Sequence, residues 1–212
     1  MTTQLVQEQY NQWSEDYDSD ENLTRDLDET TTKAILGTHS FNSMLEIGCG
    51  TGKNTNFFAT ISNHVLSMDF SEGMLEKAKR NIDNPHVSFT QTDLTEDWPT
   101  QSDGYELASC NLILEHIEDL NHIFEEAYRS LKIDGLFFIS ELHPFRQYTG
   151  TQANFNKDGV IERIPAYIHN VSEYLKLGQS VGFELLKMDE WKHEYDNKIY
   201  PRILTLLLKK KA

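Results

Sequence analysis

Apolar residues follow two alternating patterns along the chain: short dense runs closed by turn residues, and longer stretches in which they return at helical spacing. Runs too short for buried helices predict strands, and the alternation predicts βαβ units around a mostly parallel sheet. The expected strands are SMLEIG (43–48), HVLSMDF (64–70), HVSFTQ (86–91), YELASCN (105–111) and GLFFISEL (135–142). Between them, SEGMLEKAKRNI (71–82) predicts a helix capped by Ser71, with Met74, Leu75 and Ala78 on one face. LNHIFEEAYRSL (120–131) predicts another, with Ile123, Ala127, Tyr128 and Leu131 in register, and KIDG (132–135) reads as the turn into the next strand.

The last third breaks the pattern. Residues 143–170 have little periodicity but many aromatics, the signature of a long loop serving as a lid or binding loop. VSEYLKLGQSV (171–181) then predicts a short helix, and GFELLKMDEWKHE (182–194) with RILTLLLKK (202–210) an antiparallel hairpin. The expected fold is α/β, a doubly wound and mostly parallel sheet closed by that hairpin. It forms one domain over residues 1–212, with an N-terminal cover at about 1–30 and a lid at about 143–170.

Charge narrows the partners. A formal net charge of −15 opposes a phosphate backbone, so nucleic acid is not an expected substrate. The start of the chain has neither the apolar core of a signal peptide nor the Arg-rich look of a transit peptide, and no apolar run reaches membrane-spanning length. Cys49 and Cys110 stand far apart with no CxxC pattern, and the histidines lack ligand spacing. These features predict a cytoplasmic protein with reduced thiols, no metal, no membrane association and a small-molecule substrate.

The stretch LEIGCGTG (45–52) carries the first chemistry. Glycines at 48, 50 and 52 close a strand, and glycine permits both positive φ and close approach of a ligand to the backbone. The dinucleotide fingerprint G-x-G-x-x-G is not met, because Lys53 stands where its third glycine belongs. Asp69 ends the second strand at the distance where an acidic residue can reach ribose hydroxyls, and Asp93 with Leu94 follows the third strand, where an adenine edge can be addressed. The pattern is that of an adenosine site without a demonstrated diphosphate.

With these motifs in this order, the chain resembles the class I S-adenosylmethionine-dependent methyltransferases, in particular the small-molecule group similar to the ubiquinone and menaquinone methyltransferases. LEIGCGTG looks like the family's glycine loop, MDFSEGMLEKAK its ribose-binding strand end and helix, TDLTEDWP its adenine segment, and CNLILEHIED its fourth-strand motif. The resemblance covers about Tyr10 to Leu142 and implies a Rossmann-like fold with S-adenosyl-L-methionine as cofactor. It implies that Glu46, Gly48 and Gly50, with Cys49 and Gly52 of the same loop, line the methionine part. Asp69 would hold the ribose, Phe70 and Met74 would pack by the adenine, and Asp93 and Leu94 would read it. Asn111, Leu112 and His116 would lie beside the sulfonium, and Tyr10, Trp13 and Tyr17 would close over the cofactor.

Methyl transfer from a sulfonium chiefly requires alignment and exclusion of water, with a base where the acceptor carries a proton. His143, at the carboxyl edge of the fifth strand, is the first choice for that base, with Glu141 as its orienter or as a group that binds an amine, and His116 as a second candidate. Tyr17, His143, Phe145, Arg146, Tyr148, Phe155, Tyr167 and His169 are the expected substrate residues, suited to a mid-sized, partly polar molecule methylated on oxygen or nitrogen. Two other readings stay open at this point: an NAD(P)-binding reductase, and a non-catalytic adenosine-binding or interaction protein on the same fold.

Overall fold

The computed structural model describes residues 2–157, 159–197 and 199–212. Seven strands form the main sheet: β1 (Phe41–Ile47), β2 (Ser62–Asp69), β3 (Val87–Gln91), β4 (Tyr105–Asn111), β5 (Leu131–Leu142), β8 (Phe183–Trp191) and β9 (Ile203–Lys210). Their spatial order is β3-β2-β1-β4-β5-β9-β8, with β1 to β5 parallel and β9 antiparallel to both its neighbours. Strand order reverses between β1 and β4, and Ile47 pairs with Met68 on one side and Cys110 on the other. The ends of three central strands therefore open on one crevice, the place where ligands bind in open α/β sheets.

Helices cover both faces, as the near-continuous apolar runs of the central strands require. α5 (Asn121–Ser130) and α7 (Val171–Val181) pack with Leu45, Ile47 and Phe137 on one face. α2 (Leu23–Leu36) and α3 (Thr55–Ile61) pack with Met44, Phe58 and Phe138 on the other. Phe137 and Phe138, adjacent in sequence, thus feed opposite cores, the period of two that a strand imposes. α4 (Glu72–Asn81) starts as expected, its Ser71 hydroxyl accepting from the Met74 amide at 3.1 Å.

The other expected elements are present with two differences. KIDG lies inside β5 rather than ahead of it, because the register with β4 shifts between Tyr105 and Leu107 and Asp134 takes φ 65°, so the turn residues make an irregularity within the strand. The 143–170 segment carries structure of its own: α6 (Pro144–Tyr148) and a separate hairpin of β6 (Asn154–Lys157) and β7 (Val160–Arg163), with Asp158 outside the described residues. Elements that short show no period in a sequence. The hairpin packs on α1 (Thr2–Trp13) through a third apolar cluster of Val6, Trp13, Phe155 and Ile164. Among the described residues, no helix is long and apolar enough to cross a membrane.

Candidate active site

The crevice is built around the loop that follows β1. The amides of Gly48 and Cys49 both donate to the Met68 carbonyl, and the Gly50 amide donates to Asp69 Oδ2 at 2.8 Å. Asp69 Oδ1 accepts from the Ser71 amide at 2.9 Å, so one carboxylate fastens the loop to the start of α4. Gly48 has φ 77° and its missing side chain makes room for Ile113, whose Cγ2 would lie 2.4 Å from an added Cβ. Gly50 has φ 53°, and an added Cβ there would meet nothing within 4 Å, so its bare backbone faces open space beside Asp69.

Two buried carboxyls share this place. Burial pushes Asp69 up to about 6, opposed by its amide donors, and pushes Glu46 up to about 7. Glu46 Oε2 accepts from the hydroxyls of Thr55 and Ser67, each at 2.6 Å. Beside them, Asn111 at the end of β4 donates to Asp28 Oδ1 at 2.8 Å and to Thr32, while Asp28 Oδ2 accepts from Asn54.

A first cavity gathers Tyr10, Tyr17, Glu46, Gly48, Cys49, Gly50, Asp69, Phe70, Met74, Asp93, Leu94, Asn111, Leu112 and His116. Of the residues expected around a cofactor, only Trp13 and Gly52 do not line it. Trp13 lines the neighbouring cavity, and Gly52 packs behind the loop, where a Cβ would stand 3.0 Å from Ile82. The donors present fit an adenosyl amino acid. A carboxylate beside open glycine backbone suits a diol; Phe70, Met74 and Leu94 with Asp93 suit a purine; and Glu46, Arg25, Asp28 and Lys53 suit a zwitterion. Arg25 and Asp28 lie on α2, whose chemistry the sequence reading passed over; an Asn22 cap donor-acceptor pattern before LTRDLDE was the signal that could have found that helix. Lys53, in place of a third glycine, pairs with Asp26 and Glu29 of the same helix.

Tyr10 and His116 bridge the site. The His116 Nδ1 lies 2.8 Å from the Pro165 carbonyl, which only accepts, so Nδ1 carries the proton and Nε2 accepts from the Tyr10 hydroxyl at 2.8 Å. Glu115 Oε1 stands 3.8 Å from the same Nε2. A second cavity opens on the other side, between the N-terminal segment and the β6–β7 hairpin, and shares Tyr10, Tyr17, Arg25 and Leu112 with the first. Leu112 holds a left-handed backbone, φ 57°, at that shared wall.

Several expected residues are elsewhere. His143 is not in either cavity: its Nδ1 accepts from the Phe145 amide, capping α6, and its Nε2 lies 2.8 Å from Glu190 on the edge strand. Glu141 does not orient it; Glu141 Oε1 accepts the amides of Ile113 and Leu114 at 2.9 and 3.0 Å and so shapes the loop after β4. Arg146 is buried against Asp196 at 2.6 Å and donates to the carbonyls of Tyr200 and Pro201, a structural ion pair. His169 is buried between Glu173 and the Ile117 carbonyl. Phe145 and Tyr148 are exposed on α6, and Tyr167 lines neither cavity. Of the expected substrate residues, Tyr17 and Phe155 line the second cavity. Cys49 and Cys110 are both free and buried, and burial pushes both thiols well above their usual range.

The chain is similar to known proteins in the same terms. Residues 44–135 match the model of a methyltransferase domain family. An uncharacterized methyltransferase of Emericella nidulans is 27% identical over 239 residues, covering 94% of this chain and 83% of that protein. A demethylmenaquinone methyltransferase of Clavibacter sepedonicus is 30% identical over 112 residues, 52% of this chain and 45% of the relative. Among solved structures, the complex of DhpI with S-adenosylhomocysteine superposes with a TM-score of 0.75 at 17% identity, covering 99% of this chain and 97% of that one.

Proposed function

We propose, from its similarity to S-adenosylmethionine-dependent methyltransferases, that this chain is an enzyme of that kind and methylates an oxygen or nitrogen atom of a small organic molecule held in the second cavity. The observation that carries this reading is the shared wall: Tyr10, Tyr17, Arg25 and Leu112 line both cavities, so contents of the two would meet there. The net charge of −15 supports a small acceptor over a nucleic acid. Bound in the first cavity, the cofactor supplies a methyl group on a sulfonium; transfer forms the bond from the acceptor atom to the methyl carbon and breaks the carbon–sulfur bond.

The chain's own residues have three tasks. The loop after β1 and the Asp69 carboxylate orient the donor, and alignment of donor and acceptor accounts for about 7–11 kcal/mol of barrier lowering. The aromatic cover of Tyr10, Trp13 and Tyr17 excludes water. Tyr10 and His116 take the acceptor's proton: the Tyr10 hydroxyl receives it while passing its own to His116 Nε2, and the imidazolium so formed stays hydrogen-bonded to the Pro165 carbonyl and near Glu115. His143 has no part in this path.

Turnover with methyl-labelled S-adenosylmethionine across a panel of small alcohols, phenols, acids and amines tests the reading. On an accepted substrate, His116→Ala should lower kcat by about 10²–10⁴-fold, the range of a lost general base. His143→Ala should leave kcat unchanged. The opposite result, with His143 essential and His116 dispensable, overturns the assignment.

A further inference from the structure

We infer that the second cavity selects a cationic amine, with the acceptor nitrogen entering as an ammonium between the aromatic rings and the Glu115 carboxylate. This rests on reading that cavity as the acceptor site. Its walls combine Tyr10, Trp13, Tyr17 and Phe155 with three carboxylates, Asp20, Glu21 and Glu115. Trp13 stacks on Phe155 at 5.6 Å between centroids and meets Tyr17 edge-on at 4.6 Å, so the rings form one continuous surface. Aromatic faces attract organic cations and do so more strongly away from water.

The carboxylates carry no ion pair with Lys or Arg among the described residues, although Asp20 Oδ2 accepts from the Trp13 indole at 2.8 Å. Among the described residues, no Lys or Arg nitrogen lies within 4 Å of any carboxylate oxygen of Asp20, Glu21 or Glu115. Asp20 and Glu21 stand exposed, at the outer part of the cavity, whereas Glu115 is 7% exposed. Its Oε2 accepts from Gln147 at 3.1 Å, and its Oε1 has no hydrogen-bond donor among the described residues, its nearest positive candidate being His116. A carboxylate set this deep in a cavity wall disfavours its own charge; burial raises the Glu115 pKa accordingly, and an entering ammonium would offset that cost.

Two guanidiniums also line the cavity, and each is held in place by other groups of the protein. Arg202 grips Asp196 through two nitrogens, a carboxylate outside the wall that it shares with Arg146, and donates to Thr24 at 2.9 Å. Arg25 donates to the carbonyls of Tyr17 and Asp20 and lies 4.1 Å over the Tyr17 ring. That contact shows a ring of this wall already serving as a cation platform. An ammonium placed by Glu115 would stand next to Tyr10, whose hydroxyl leads to His116, the proton acceptor a protonated amine needs before its lone pair can react.

Three probes of one shape separate charge from size: choline, its neutral isostere 3,3-dimethylbutan-1-ol, and the anion 3,3-dimethylbutanoate. Each is titrated into full-length protein saturated with S-adenosylhomocysteine, and the indole N–H resonance of Trp13 is followed by NMR. Choline should bind about tenfold tighter than the neutral isostere and the anion weakest, with Glu115→Gln removing most of the difference. Equal binding of choline and the alcohol, tighter binding of the anion, or an unchanged choline affinity in Glu115→Gln overturns the inference while the methyltransferase reading stands. Failure of S-adenosylhomocysteine to bind in the same samples overturns the reading itself, and the inference with it.

Discussion

Asp69 ties the glycine loop to α4 through both oxygens, and it is the residue whose chemistry the cofactor would meet first. Replacing it with alanine should weaken S-adenosylhomocysteine binding by about 1–3 kcal/mol in a calorimetric titration, because hydroxyl donors would be left unpaired in the closed site. Unchanged affinity would remove Asp69 from the ribose. Its neighbour Glu46 gives a pH signature. The folded-state values of about 6 for Asp69 and about 7 for Glu46 lie above the ordinary carboxyl values, so these groups hold protons in the folded chain that the unfolded chain has released. Their contribution to stability is therefore full below the ordinary carboxyl range and lost as pH rises through 6 and 7. The unliganded protein should thus gain less from neutral pH than Glu46→Gln, the Tm difference between variant and parent widening in the variant's favour from pH 5 to 8; a difference flat with pH would contradict the assignment. At this scale the sequence disclosed position better than direction. Asp69 and Glu46 could be placed because they end and line strands at the sheet's ligand-binding edge. His143 ends a strand at the same edge, yet its ring turns to cap α6 and meet Glu190, a choice made by partners remote in sequence.

At the scale of elements, the loop after β4 explains what Glu141 is for. Leu112 is held left-handed at the wall between the cavities, and the next two amides are taken by one oxygen of Glu141. Burial pushes that carboxyl well above its usual range, opposed by the two amides it accepts. Glu141→Gln should fold with nearly the parent's Tm, since the amide oxygen can accept the same two bonds. Glu141→Leu leaves two buried amides unpaired and should cost about 2–5 kcal/mol in denaturant unfolding. Equal damage from both would mean that the charge itself matters. The same scale shows why α2 was missed in the sequence. Its inward face carries Asp28, Thr31 and Thr32 ahead of Ile35 and Leu36, because it borders the site as well as the core, so the apolar period is masked for two turns. β6 and β7 escaped notice because four residues cannot establish an alternation.

For the whole molecule, the parallel order of β1 to β5 and the antiparallel closure by β8 and β9 were legible, since dense apolar runs alternating with helical stretches have few other solutions. The site could be read as far as the strands end at the crevice. Its outer half could not, because the N-terminal segment and the β6–β7 hairpin meet only in three dimensions, through Trp13 and Phe155. That contact makes the cover a unit, and a unit of this kind should tighten on ligand binding. Hydrogen exchange at residues 3–17, 152–157 and 159–164 should slow together when S-adenosylhomocysteine is added, while β8 at the sheet's edge stays unchanged. Slowing confined to the loop after β1 would separate the cover from the site. The account as a whole stands on where the cofactor lies. A crystal structure with S-adenosylhomocysteine should show the ribose hydroxyls on Asp69, the adenine between Phe70 and Leu94, and the sulfur at the wall formed by Tyr10 and Leu112, facing the second cavity. An adenosyl group bound away from Asp69, or a sulfur turned from that wall, would contradict it.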